Sequence, residues 1–190
     1  MLPGQTNIQQ DHSAYFYGVT MSKPKQKKTF RREVLEIIAA FVIAWLAYQL
    51  ISLAAGTPLP IVSVVSDSMY HTSYFDAWWE QADGDYVAFD VTKEGFMKFP
   101  NANGLSRGDL LLVVRPDSPK IGDILIYRKL GSDFTIVHRL VKIENNTYIV
   151  KGDNNRVADP PVARDYAVGK VVFAMPVLGY PRLLLHLVGI

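Results

Sequence analysis

The chain has 190 residues, enough for one domain of ordinary size, and a formal charge of only +2. It contains no cysteine, which excludes disulfides, thiolate zinc sites and a cysteine nucleophile. Lys23, Lys25, Lys27, Lys28, Arg31 and Arg32 cluster within ten positions, and removing those six from the 20 cations leaves 14 against 18 acids, so no basic stripe remains to read nucleic acid.

In chain order, residues 1–30 are polar and show neither helical nor strand periodicity, which predicts a mobile tail. Within it, Met21-Ser22-Lys23-Pro24 resembles a natural start of translation. Residues 37–55 are uncharged, with Gln49 and Ser52 their only clearly polar members. A 19-residue helix spans about 28 Å at about 1.5 Å per residue, close to the hydrocarbon thickness of a bilayer. A buried core helix is a poor alternative because the segment is apolar on every side. A cleaved signal peptide is another, but the stretch is long and starts late. Gly56, Pro58 and Pro60 end the helix. The preceding cations predict a cytoplasmic N-terminus, with everything beyond residue 56 outside.

Beyond the span, short runs rich in Val, Ile and Tyr alternate with Gly, Asn, Asp and Pro, which predicts a mainly β domain. The expected strands are 61–65, 86–91, 109–114, 123–128, 135–143, 147–151 and 168–174. Asn145-Asn146 makes a hairpin turn and, with Thr147, an outward-facing glycosylation sequon. Residues 71–108 read as a long irregular loop or insertion. Its Trp78 and Trp79 suit either lipid headgroups or a local core. Residues 177–190 form an apolar stub, too short to span and suited to the membrane interface. The expected organisation is a cytoplasmic basic tail over 1–33, a transmembrane helix over 34–56, an extracytoplasmic β domain over 57–176 and the stub over 177–190.

Four side chains are candidates for the three parts of an activated nucleophile, a hydroxyl, an imidazole and a carboxylate. Ser68 follows the first expected strand, in Val65-Ser66-Asp67-Ser68-Met69, where a hydroxyl is exposed at the end of a rigid element. On its own such a serine is more often a turn residue. His138 lies mid-strand and shares a face with Ile136 and Leu140, a setting where histidine is more often a satisfied core or edge residue. Asp153 and Asp159 flank a polar loop that could equally be a turn before Pro160-Pro161. A calcium loop fits badly, since the alternating ligands and closing glutamate are missing. His12, His71 and His186 are weaker bases: one is in the tail, one is three residues from Ser68, and one is in the stub.

Order and spacing carry more than any single residue. Ser66-Asp67-Ser68-Met69 is followed by Arg107-Gly108-Asp109-Leu110, Ile121-Gly122-Asp123-Ile124-Leu125-Ile126-Tyr127, Val137-His138-Arg139-Leu140 and Lys151-Gly152-Asp153-Asn154-Asn155. These runs, behind a membrane anchor and over residues 34–180, resemble type I signal peptidases of the archaeal and endoplasmic-reticulum type. The resemblance implies a signal-peptidase-like β-fold and a membrane serine endopeptidase, without cofactor or metal, that removes signal peptides from secretory preproteins. It implies Ser68 as nucleophile, His138 as general base, Asp159 or Asp153 as triad acid (Asp159 the better match), and Ser66 with the Ser68 N–H at the oxyanion. It implies cleavage after small residues, with Val64 and Ile61 lining shallow pockets. The lipid bilayer and the translocation machinery are the expected partners, and a cell membrane or endoplasmic-reticulum membrane the expected location. Two departures stand out: Asp67 replaces a glycine, and Tyr70-His71 replaces an acid-proline pair. The competing readings are a serine–lysine peptidase using Lys129 or Lys142, and an anchored β-domain without activity.

Overall fold

The computed structural model describes residues 30–129, 131 and 134–187. The basic tail before residue 30, with His12, Met21 and Lys23 to Lys28, lies outside the described residues, as do residues 188–190.

Helix α1 (Phe30–Ala55) carries the uncharged run and is the one described helix long and apolar enough to cross a membrane. Its C-terminus closes as the sequence predicts. Gly56 takes φ +66°, and the Gly56 and Thr57 N–H groups fold back onto the Leu53 and Ser52 carbonyls. The Arg115 backbone N–H then satisfies Ala55 O at 2.8 Å, and its side chain donates to Gly56 O at 3.2 Å.

Seven antiparallel strands follow: β1 (Ile61–Ser63), β2 (Leu110–Val114), β3 (Ile124–Arg128), β4 (Thr135–Glu144), β5 (Thr147–Lys151), β6 (Val162–Ala163) and β7 (Ala167–Met175). They form one sheet in the order β1-β2-β7-β3-β4-β5-β6. The expected mainly β domain is therefore present behind the apolar helix. The hairpin of β4 and β5 turns at Asn145, whose φ of +45° a β-branched residue would resist. Alternation puts Leu111, Val113, Ile124 and Ile126 into one buried cluster with Val64, Met69, Leu105 and Val171. Leu125, Tyr127, Leu140, Tyr148, Val150 and Val162 form another.

The expected strand over 86–91 is absent. Tyr86 ends helix α2 (Phe75–Tyr86), a 3₁₀ turn covers Val87–Phe89, and α3 (Lys93–Phe96) follows. The alternation in Tyr86-Val87-Ala88-Phe89 is local; Tyr86 and Phe89 sit three apart and pack into one aromatic cluster with Trp78, Trp79, Phe96 and Val141. The expected irregular loop is thus a helical insert, braced by a 2.8 Å Lys93–Asp76 ion pair. Trp78 and Trp79, at 4% and 7% exposure, belong to its core, so they do not reach lipid headgroups. Strand β6, two residues long and directly after Pro160-Pro161, is too short to show alternation in the sequence.

In the stub, Tyr180–Leu187 forms helix α4. Leu183 is buried, while Leu184, Leu185 and Leu187 stay exposed. Ser63 Oγ donates to Gly179 O at 2.8 Å and ties the start of α4 to β1.

Candidate functional site

The site forms where the segment leaving β1 meets the segment leaving β5. Asn154 N donates to Ser68 O at 2.8 Å, and Asn154 Nδ2 to Asp67 O at 3.1 Å. Met69 behind the serine is buried and anchors the turn in the core. Ser66 and Ser68 lie with their hydroxyl oxygens 3.2 Å apart, Ser66 exposed and Ser68 half-buried. Asp67, between them, turns outward to Arg107 in a two-point ion pair at 2.5 and 2.6 Å. That cation neutralises the carboxylate that stands between the two serines.

His138 lies on β4 opposite Leu125 of β3 and is only 4% exposed. Its Nδ1 is hydrogen-bonded to Asp159 Oδ2. Its Nε2 points the other way, toward Gly152. A methyl group at Gly152 would come within 2.8 Å of His138 Nε2 and 2.7 Å of Ser68 O, so imidazole and serine main chain close on the same glycine. The two aspartates of the loop therefore separate. Asp159 faces His138, whereas Asp153 does not touch it.

Tyr127, which sequence reasoning passed over, donates its hydroxyl to Asp159 Oδ2 at 2.9 Å. Its alternation with Leu125 on β3 was visible, but nothing in sequence tied it to Asp159. Burial acts to raise the Asp159 pKa; the hydrogen bond and charge of His138, then Tyr127 and Lys129, outweigh it and hold the carboxyl below its ordinary value. Burial, then the bond to Asp159 and its charge, push the Tyr127 phenol up. The pair is thus an ionised acceptor and a protonated donor.

Asp153 is wholly buried and serves another centre. Arg139 reaches it through Nε at 2.9 Å and Nη2 at 2.7 Å. Tyr86 donates to Asp153 Oδ1 at 3.0 Å, and His71 Nε2 lies 3.2 Å from Oδ2. Burial raises its pKa, but Arg139 and His71 overcome that and bring it down to about 2.

Lys142 is exposed and paired with Glu144 at 2.6 Å. Lys129 is exposed beside a cleft of about 460 Å³ whose walls include Tyr127, Ile136, Asp159 and Val162. Lys151 is the buried lysine of the hairpin, lowered in pKa by desolvation, with Nζ 4.1 Å over the Tyr86 ring. Val64 is sealed in the core and lines no open pocket, whereas Ile61 is 37% exposed at the sheet edge. Among the described residues no cluster of His, Asp and Glu could hold a metal ion.

No family model matches the chain. Curated proteins do. It is 28% identical over 168 residues to the signal peptidase complex catalytic subunit sec11 of Sclerotinia sclerotiorum, covering 80% of this chain and 79% of that protein. It is 27% identical over 141 residues to that of Schizosaccharomyces pombe, covering 70% and 68%. To that of Dictyostelium discoideum it is 32% identical over 94 residues, covering 42% and 52%. Over most of its length the chain is thus similar to catalytic subunits of signal peptidase complexes.

Proposed function

We propose that the chain is a membrane-anchored serine endopeptidase that cleaves signal peptides from preproteins, with Ser68 as nucleophile, His138 as general base and Asp159 as the acid that orients it. The observation that carries the reading is the placement of His138: Nδ1 on Asp159, Nε2 turned to the glycine against which the Ser68 main chain packs. A base so held has its tautomer set, with the lone pair directed to the serine side.

In the first step the Ser68 hydroxyl attacks the scissile carbonyl as Nε2 takes its proton. Asp159 stabilises the imidazolium, and Tyr127 holds Asp159 in place. The negative oxygen is received by the Ser68 N–H and the Ser66 hydroxyl; donors of this kind are worth about 3–4 kcal/mol each. The imidazolium then protonates the leaving amine, and water hydrolyses the acyl-enzyme by the same route. Helix α1 is the anchor in a cell or endoplasmic-reticulum membrane, the β domain works outside with the basic tail inside, and the relatives' names support assembly into a complex with further subunits.

Incubating the full-length, membrane-reconstituted protein with a labelled preprotein tests the reading. Ser68→Ala and His138→Ala should each lose at least about 10³-fold in rate while inserting normally. Native rates in Ser68→Ala would end the reading. Activity in His138→Ala together with its loss in a Lys129 or Lys142 variant would move the base to lysine.

A further inference from the structure

We propose that the helical insert is part of the catalytic apparatus at one remove: His71 and Tyr86 are positioning residues that set the Gly152–Asn154 turn, through Asp153, against which Ser68 and His138 are registered. The proposal rests on the serine-peptidase reading above.

Asp153 receives Arg139 on both oxygens, Tyr86 on Oδ1 and His71 on Oδ2. Arg139 is 0% exposed and uses its remaining donors on the Pro100, Asn101 and Gly122 carbonyls. Its guanidinium also lies 4.7 Å over the Phe96 ring. A buried ion pair stays ordered only where its remaining donors and acceptors are met. Here the insert meets them: Tyr86 ends α2, Phe96 ends α3, and Pro100 and Asn101 follow.

Neighbouring atoms carry that order to the reacting groups. On either side of Asp153, Gly152 has room for no side chain against Ser68 O and His138 Nε2, and Asn154 N holds Ser68 O. Asp153 N itself points to Met69 Sδ at 3.5 Å, beside the serine. His71 closes the loop from the other side. It is three residues from Ser68, and its ring stacks on Trp78 at 3.5 Å between centroids, 8° from parallel. The Met69 carbonyl accepts from Leu105 N at 2.8 Å as the insert ends. His71 Nδ1 is buried with no partner. A bare lone pair there costs less than an unpaired N–H, so the geometry points to the tautomer with its proton on Nε2, donating to Asp153.

The test uses the full-length protein in membranes and compares steady-state cleavage with thermal unfolding. His71→Phe keeps a ring against Trp78 but removes the donor; Tyr86→Phe removes one hydroxyl. Each should lower kcat about tenfold with KM within twofold, and the double variant should lose more. His71→Gln, which restores an N–H donor, should recover part of the loss. Thr57→Ala, which removes a buried hydrogen bond to Val168 O outside the insert, should lower the unfolding temperature and leave kcat of the folded enzyme unchanged. Should a variant fail to fold, ¹⁵N shifts of the His71 ring in the native protein still decide: protonation at Nδ1 alone would overturn the proposal. So would native kcat in both phenylalanine variants while Ser68→Ala is dead. An active Ser68→Ala would instead remove the serine-peptidase reading, and this proposal with it.

Discussion

Two aspartates six positions apart have been given different work by their neighbours. Asp159 holds the His138 ring, while Asp153 is spent on Arg139. Asp159→Asn should therefore cut kcat by about 10²–10⁴-fold with little change in unfolding temperature, because only the imidazole loses its partner. Asp153→Asn should cost about 3–5 kcal/mol of stability in addition to slowing kcat, since a fully buried guanidinium loses its charge partner. Chemical denaturation and steady-state rates on the same two variants separate the effects. Near-native rates in Asp159→Asn would leave His138 without an acidic partner. Acid should act through Asp153 as well. Its folded pKa of about 2 lies below the ordinary 3.8, so its contribution is complete above about 3.8 and is lost as pH falls toward 2. The difference is worth on the order of 2 kcal/mol. Unfolding free energy measured between pH 5 and 2 should fall across that window, and Asp153→Asn should flatten the fall. In sequence, both acids stood in one loop after His138. What separated them was Tyr127 and Tyr86, which lie 32 and 67 positions away from their partners and become neighbours only through the fold.

At the scale of elements, the strands from β2 to β5 and β7 were legible because alternation and turn residues agree there, down to the two-residue hairpin at Asn145. The insert was not. Its aromatic residues read as strand over 86–91 because Tyr86, Phe89 and Val91 are all apolar, and only the cluster around Trp78 and Phe96 reveals their helical spacing. The element that the site depends on most is a short one, the turn after β5. Its Gly152 has an ordinary backbone conformation, so the constraint is space rather than φ. Gly152→Ala should push the Ser68 main chain and the His138 ring apart by enough to cost about 10²-fold in kcat. A crystal structure or a rate measurement on that variant checks it; an unchanged rate would mean that the turn yields without disturbing the pair.

Across the whole molecule, the chemistry is useful only if the β domain lies on the side where preproteins emerge. Charge favours that side: six cations precede the uncharged stretch 37–55, and cationic flanks are retained in the cytoplasm. The reach of the chain keeps Ser68 near the bilayer on whichever side the domain lies. Residues 57–67 extend at most about 3.3–3.6 Å each, so Ser68 stays within roughly 40 Å of the end of the span, and the Arg115 bonds to Ala55 and Gly56 keep the start of that path short. The absence of cysteine makes the orientation directly measurable, since a single introduced thiol has no background. Asn103→Cys, at an exposed position near the end of the insert, should react with a membrane-impermeant maleimide applied to the outer face of intact cells or to the lumenal face of opened vesicles. Ser22→Cys, in the basic tail, should react only from the cytoplasmic face. The opposite pattern would put the β domain with the ribosome rather than with the emerging preprotein, and a signal-peptide-cleaving role could not survive it.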